Sequence, residues 1–199
     1  DIEKALFDNN ARAAGNSTTA RELAGVPAWM ITNTTRGANE GADPTGDGTD
    51  AATDETTAVT AFDQTKFDLT MQSIWEQGGS PDVVYLSAFQ QNAALGFTGM
   101  NNQRTTIGAS VGGTNAVVNA VDVYVTPWGT VEFVMSRQCR SRDVFIMQNE
   151  YWSVGVLRPT KNVELSKTGD STRRQVVTEL TLCALNEASS GIIADNSTS

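Results

Sequence analysis

The sequence predicts an α+β fold in which a few helices accompany mixed or antiparallel sheets. Residues 62–77 carry one apolar stripe at the helical period, which predicts an amphipathic helix. Apolar and polar residues alternate on both sides of a tight turn between Val121 and Met135, which is typical of a β-hairpin. The alternation returns over Gln175–Leu185, where both faces are mostly apolar or β-branched. We therefore expect that strand to lie in the interior of a sheet.

The chain has 199 residues, enough for one large or two small domains with a buried core. Its net charge of -9 lies in the first half, because residues 1–100 hold 5 basic and 14 acidic side chains while residues 101–199 hold 9 of each. Such an acidic chain is a poor candidate for tight nucleic-acid binding, so we expect only weak, non-specific contact with DNA. No apolar run is long enough to cross a membrane, and we expect no membrane association.

The residues at the start of the chain predict a short helix and a connector. Ile2, Ala5 and Leu6 have helical spacing within Asp1–Phe7, but two turns of helix are marginal alone. We expect this piece to be the end of a longer helix, in a chain cut from a longer protein. Small polar residues then form a connector, and an apolar passage over Leu23–Ile31 is broken by glycine and proline.

The segment 37–65 contains seven acidic residues and no basic one, which predicts an exposed, mobile loop. Within it, residues 43–54 partly match a calcium loop, with Asp43, Asp47 and Asp54 as candidate ligands. The match lacks the usual final glutamate and a preceding helix, so a solvated acidic loop is the simpler interpretation. A calcium- or carbohydrate-binding module is the alternative function. A hydrolase using the adjacent carboxylates Asp54 and Glu55 has less support, because we expect nothing in a mobile loop to hold or desolvate them.

A helix, a strand and a second helix are predicted in succession. The stripe of the first helix consists of Phe67, Met71, Ile74 and Trp75, and Gly78-Gly79 and Pro81 end the helix. Asp82–Leu86 is then expected to be a short buried strand. Ser87 and Gln90 match a capping box at the start of the second helix, whose inward residues are predicted to be Phe89, Ala93 and Phe97.

The rest of the chain is predicted to be rich in β-structure. Residues 101–114 carry little pattern, and β-alternation begins near Val117. Further short strands are expected over Val144–Met147 and Tyr151–Leu157, the second ended by Pro159, which lacks a backbone N–H. A tight turn is expected over residues 168–171, and a polar tail over Ala188–Ser199.

The residues with reactive side chains do not form a catalytic pattern. The sequence has no histidine, which removes the Ser-His-Asp and Cys-His systems and the commonest zinc sites. Cys139 lies among Arg137, Arg140 and Arg142, which could lower the pKa of its thiol. The simpler interpretation is an arginine-rich strand end whose partners are carboxylates of a neighbouring subunit. Cys183 is expected to be a small core residue, and a bridge between the two cysteines stays open. We predict no catalytic residue, cofactor or metal.

Several short stretches of the sequence form a further pattern: Leu157-Arg158-Pro159, Glu164–Asp170, Glu179–Leu182, Asn186–Ala188, Trp75–Gly79 and the hairpin up to Met135. In order and spacing these stretches resemble a family of tailed-phage major capsid proteins with the Hong Kong 97-type fold. The resemblance implies a structural subunit that assembles with copies of itself, as hexamers and pentamers, into an icosahedral shell around a double-stranded DNA genome. Portal, scaffold or decoration proteins are further candidate partners. It also implies location in the virion, and the low cysteine count fits synthesis in the bacterial cytoplasm.

The resemblance further implies a subunit with a peripheral and an axial part. Residues 1–17 would be the end of the peripheral spine helix and a connector, and residues 18–120, including the acidic loop, would be mainly axial. Residues 121–199 would complete the sheets of both parts. The basic groups of the second half, set against the acidic first half, suggest contacts between unlike surfaces of neighbouring copies. The candidates for these contacts are Arg137, Arg140, Arg142, Lys167, Asp170, Arg173 and Arg174.

Overall fold

The structure is a computed structural model, and it describes residues 2–37, 42–97, 123–167 and 169–198. The helices are α1 (Ile2–Phe7), α2 (Gln64–Glu76) and α3 (Ala88–Ala94). The strands are β1 (Thr34–Thr35), β2 (Val83–Leu86), β3 (Val123–Thr126), β4 (Gly129–Met135), β5 (Val144–Met147), β6 (Trp152–Glu164), β7 (Arg174–Ala184) and β8 (Gly191–Ile193). Short 3₁₀ helices occupy Val26–Ala28, Asn149–Tyr151 and Glu187–Ser189.

The described strands form two separate sheets. Six strands make a mixed sheet in the order β1-β8-β5-β2-β4-β3, in which the pairs β1–β8 and β2–β4 are parallel and the others antiparallel. β6 and β7 pair only with each other, as a long antiparallel ribbon. The prediction of an α+β fold with mixed sheets and few helices is confirmed.

α2 forms where the sequence predicted it, but one residue of the predicted apolar stripe is exposed. The Asp63 carboxylate caps its start by accepting from the Lys66 N–H at 2.9 Å, and Gly78 adopts a φ of +84° just beyond its end. Phe67, the first residue of the apolar stripe, is fully buried. Trp75, however, is 58% exposed, because it lies about 80° around the helix axis from Phe67, at the margin of the stripe.

α3 is capped by Ser87 as predicted, but its facing was predicted wrongly. Phe89 is exposed, while Gln90, Gln91 and Ala94 are the buried residues. The Gln90 side chain does not reach back to the cap. It donates instead to the carbonyl oxygens of Ser141 and Ser197 at 2.8 and 3.2 Å, so hydrogen bonds draw a polar residue inward. Phe97, just beyond the helix, is buried as expected.

The six-stranded sheet has an apolar cluster on each face. On one face α2 packs over the sheet, and the Phe67 ring lies 5.6–6.1 Å from the rings of Phe97, Tyr124 and Phe133. On the other face the 3₁₀ helix at residues 26–28 and the residues of α1 cover Phe145 and Ile192. The two clusters together anchor both sheets, since Leu182 of the ribbon belongs to the second.

The β3–β4 hairpin is confirmed, and Val144–Met147 and Val83–Leu86 are the strands predicted there. The valines of β3 are its exposed residues, with Val125 66% exposed, while Tyr124 and Thr126 are buried. The alternation alone could not decide between these two facings. Val117, Val121 and the segment 101–114 lie outside the described residues.

The ribbon overturns two predictions. Pro159 does not end a strand, because β6 continues through it to Glu164 and the ladder shifts register on both sides of Arg158. β7 is not an interior strand, because among the described strands it pairs with β6 alone and Val176 is 65% exposed. Cys183 is half-buried, and both cysteines are free.

The predicted polar tail is also wrong. Ser189–Asn196 is buried, and β8 lies between β1 and β5 inside the six-stranded sheet. Gly191 permits this close packing, because a Cβ at that position would lie 2.8 Å from the Asn33 carbonyl oxygen and 2.9 Å from Cγ2 of Thr70.

Candidate subunit-contact surface

The turn of the β6–β7 ribbon presents four of the predicted contact residues. Lys167, Asp170, Arg173 and Arg174 are all exposed there, and no ion pair within the described chain involves them. The turn is closed by the Leu165 N–H, which donates to the Arg173 carbonyl at 2.9 Å. The ribbon therefore holds these charges away from the rest of the chain, where another molecule can reach them.

Further along the ribbon, a charged pair links its two strands. The Arg158 guanidinium donates to both oxygens of the Glu179 carboxylate, with Nε at 2.7 Å from Oε2. Arg21 of the connector approaches the same carboxylate at 3.5 Å. The hydrogen bond from Arg158 holds the pKa of Glu179 below its ordinary value. This contact fixes Arg158 opposite Glu179 at the shift in register.

Two other predicted contact residues have partners inside the chain. Arg140 donates from Nη1 to the Asp143 carboxylate at 2.7 Å and from Nη2 to Asp54. Arg142 lies 3.7 Å from Asp54 and 3.8 Å from Asp195. The carboxylates facing these two arginines were expected on a neighbouring subunit, but the ones shown here lie in the same chain.

Arg137, by contrast, is exposed, and no described ion pair involves it. It therefore remains available to a neighbouring molecule, as the charged residues of the ribbon turn do.

The acidic loop is anchored, which corrects the expectation that nothing would hold its carboxylates. Glu55 is fully buried and accepts from the N–H groups of Thr57 and Ala58, both at 2.9 Å. Asp195, also buried, accepts from the N–H groups of Gly37 and Glu55 at 3.0 and 2.9 Å. The loop was therefore predicted wrongly as exposed throughout; its residues 38–41 lie outside the described chain.

The three candidate calcium ligands do not converge. Asp43 pairs with Arg36 at 2.6 Å, Asp47 accepts from Thr45 and Thr49, and Asp54 faces Arg140. Within the described residues, no group of three acidic, cysteine or histidine side chains could hold a metal ion.

Two groups near the arginines have strongly shifted pKa values because they are buried. Burial raises the pKa of Asp143 to about 6, against the opposing effect of the Arg140 guanidinium. Burial also raises the pKa of the Cys139 thiol to about 12, so that Cys139 is not a reactive thiolate at neutral pH. The geometry thus offers exposed charges at the ribbon turn and an ion-pair cluster around Arg140 and Arg142.

Comparison with known proteins identifies the family of the chain. The family model for the SU10 major capsid protein matches residues 1–197, nearly the whole chain. The chain belongs to the SU10 major capsid protein family. No curated protein matches it. The capsid protein is a structural subunit of a phage particle, and its place is the virion. In the described part of this capsid protein, no helix is long and apolar enough to span a bilayer.

Sequence reasoning did not predict the exposed apolar residues along the ribbon and just beyond its end. They are Val154, Val156, Leu157, Val163, Leu165, Val176 and Leu185. The alternation was recognised in β7, but because both faces of that strand are mostly apolar or β-branched, it was taken as a sign of burial within one chain. The same spacing also fits a strand that another molecule covers, and the lone proline and the flanking charges are typical of such an edge.

Proposed function

We propose that this capsid subunit joins its neighbours through the charged turn of the β6–β7 ribbon. Lys167, Asp170, Arg173 and Arg174 lie there without an ion-pair partner in the described chain, and this observation carries the proposal. Arg137 is the further exposed candidate. Arg140 and Arg142 contribute to the contact only indirectly, since their ion pairs lie within the subunit.

The charge distribution supports contacts between unlike surfaces. The ribbon, Trp152–Ala184, has five basic and three acidic side chains, a net charge of +2, whereas the whole chain carries -9. The remainder therefore carries -11. A positive ribbon that meets the acidic body of the next copy makes a head-to-tail contact, which forms a ring when the rotation closes. The hexamers and pentamers of an icosahedral shell are such rings.

We further propose the Hong Kong 97-type arrangement of the subunit. The ribbon shares no strand pairing with the six-stranded sheet among the described strands, and this supports a subunit of two parts. In this arrangement residues 1–17 and the ribbon are peripheral, and residues 18–120 are mainly axial. Residues 121–199 complete both parts, and in support of this β4, β5 and β8 lie in one sheet with β2.

The shell would enclose double-stranded DNA, with only weak contact between the acidic subunit and the genome. Portal, scaffold and decoration proteins are further partners in this proposal, and synthesis takes place in the cytoplasm of the bacterial host. The enclosed genome, the further partner proteins and the place of synthesis are what membership of the capsid protein family would imply for the assembled particle.

Electron microscopy of the purified full-length gene product tests the proposal. We expect closed shells with fivefold and sixfold clusters of subunits. A product that stays monomeric at micromolar concentration in low and high salt would contradict it.

A further inference from the structure

Two buried polar atoms close to the acidic loop have no hydrogen-bond partner within the described chain. One is Nη2 of Arg36, whose side chain is 5% exposed, and the other is Oδ1 of Asp143, whose side chain is fully buried. Buried polar atoms in folded proteins are nearly always hydrogen-bonded, either to the protein or to ordered water. A guanidinium nitrogen offers a donor and a carboxylate oxygen an acceptor, so each of these atoms requires a partner of the opposite kind.

Arg36 lies beside Ala194 at the end of the parallel pair β1–β8. Thr35 is in register with Ile193, and the Ala194 N–H donates to the Thr35 carbonyl at 2.8 Å, so the ladder continues one residue further. Residues in register project their side chains from the same face of a sheet. The side chains of Arg36 and Ala194 therefore point to one face, which is the face of the second apolar cluster, because Ala194 belongs to that cluster.

Asp143 lies on the other side of Ala194. Val144 of β5 is in register with Ile193 of the antiparallel β8, so Asp143, one residue earlier, is opposite Ala194. Residues opposite each other share a face, so the Asp143 side chain points the same way as that of Ala194. Arg36, Ala194 and Asp143 thus form a row across three neighbouring strands.

The middle residue of this row has a short side chain and its two neighbours have longer ones. Adjacent strands are about 4.8 Å apart, so the backbones of Arg36 and Asp143 are about 10 Å apart with a methyl group between them. Electrostatics indicates that their side chains approach each other across it. Burial raises the pKa of Asp143, and the guanidiniums of Arg140 and Arg36 both oppose that rise. The unpartnered Nη2 and Oδ1 therefore lie on the two sides of one small interior site above Ala194.

Each side of this site already holds one end of the acidic loop. Nε of Arg36 donates to the Asp43 carboxylate at 2.6 Å. On the other side, Asp143 accepts from Arg140, which also donates to Asp54. One hydrogen-bonded group thus ends in an unpartnered donor, and the other ends in an unpartnered acceptor.

We propose that one buried water molecule lies above Ala194, accepts from Nη2 of Arg36 and donates to Oδ1 of Asp143. Water fits this site because it supplies both an acceptor and a donor. The guanidinium would repel a metal ion, and the carboxylate would repel an anion. With the water bound, hydrogen bonds run without a break from Asp43 to Asp54, and both ends of the acidic loop are fastened through the sheet. The site lies within one subunit and is independent of the contacts proposed between subunits.

A high-resolution crystal structure of the chain at neutral pH tests this directly. We expect one ordered water whose oxygen lies about 2.7–3.2 Å from both Nη2 of Arg36 and Oδ1 of Asp143. Direct contact between those two atoms, a protein group bonded to either of them in place of water, or the absence of any density between them would overturn the proposal.

Substitution of Ala194 gives an independent test in solution. Ala194→Ser places at the site a hydroxyl that can accept from Arg36 and donate to Asp143, whereas Ala194→Cys displaces the water with a weak hydrogen-bonding group. We expect the folding equilibrium constant of the serine variant, measured by urea denaturation, to be about tenfold that of the cysteine variant. Ala94, fully buried in the other apolar cluster, is the control, where the same two substitutions should favour cysteine. A serine variant of Ala194 that is no more stable than its cysteine counterpart would overturn the proposal.

Discussion

The guanidinium of Arg140 lies against the carboxylate of Asp54, 86 residues earlier in the chain. The same guanidinium donates to the buried carboxylate of Asp143 at 2.7 Å. One arginine thereby ties the acidic loop to the residue that precedes β5. Removing it leaves the Asp143 carboxylate buried without a cationic partner at hydrogen-bond distance, which is the costly way to break an ion pair.

We therefore predict that Arg140→Ala lowers the free energy of unfolding by about 3 kcal/mol. Arg137→Ala, at an exposed position three residues away, is the control and should change it by less than about 0.5 kcal/mol. Urea denaturation of the two variants measures both values. Equal, small losses would show that the Arg140 cluster does not stabilise the fold.

Asp143 predicts a specific pH dependence. Its folded-state pKa of about 6 lies above the ordinary value of 3.8 for an aspartate, so the folded state binds this proton more tightly than the unfolded state does. Protonation of Asp143 contributes its full amount to the free energy of unfolding below the unfolded-state pKa of 3.8, and this contribution is lost as the pH rises through the folded-state pKa of about 6. We predict that this group lowers the free energy of unfolding by up to about 3 kcal/mol between pH 4 and 6.

The variant Asp143→Asn isolates this effect. The variant lacks the carboxylate that pairs with Arg140, so its free energy of unfolding differs from that of the wild type at every pH. The slope of the free energy of unfolding against pH, compared between variant and wild type over pH 4–6, reports the titration of Asp143 alone. The free energy of unfolding of the wild type should fall relative to that of the variant as the pH rises. Parallel curves would mean that Asp143 keeps an ordinary pKa in the folded protein.

Alanine substitution of Gly191 tests the buried position of β8, and alanine substitution of Gly155 in β6 is the control. Gly191→Ala places a Cβ 2.8 Å from a backbone oxygen inside the six-stranded sheet, and we predict a loss of about 1–3 kcal/mol from this overpacking. Gly155→Ala in the ribbon meets only ordinary contacts and should be neutral or slightly stabilising. Thermal melting of the two alanine variants compares them, and an unchanged melting temperature for Gly191→Ala would contradict the close packing of β8.

The charges at the ribbon turn should matter for assembly and not for the fold. Exposed charges contribute under about 1 kcal/mol, so replacing Arg173 and Arg174 by Ala should leave the melting temperature of the subunit unchanged. Lys4→Ala, at an exposed position in α1, is the control. If the contact is ionic, added salt should also slow wild-type assembly. A large loss of subunit stability in the double variant would show that these arginines support the fold.

Sequence patterns within a short stretch correctly predicted two elements of the fold, α2 and the β3–β4 hairpin. α2 and the β3–β4 hairpin were found because a period and a turn are enough to specify them, and Asp63 and Gly78 supply the ends of the helix. The facing of Trp75 and Val125 was not predictable, since it depends on which neighbours cover each side.

Contacts between distant residues could not be predicted from the sequence. The partners of Arg140 and Arg142 come from the loop and from Asp195, and no spacing in the sequence indicates those pairs. β8 was missed because three residues are too few for a periodic signal. β7 was assigned to the interior because an apolar strand reads the same whether its own chain or another molecule covers it.

Assembly by the full-length protein, observed by electron microscopy, tests the central claim that this is a shell subunit joined through its ribbon. Wild-type protein and the Lys4→Ala variant should form closed shells. The Arg173→Ala, Arg174→Ala double variant should remain as folded subunits with an unchanged melting temperature. Normal shells from the double variant would contradict the contact through the ribbon turn, and the absence of shells from the wild type in every salt condition would contradict the assembly itself.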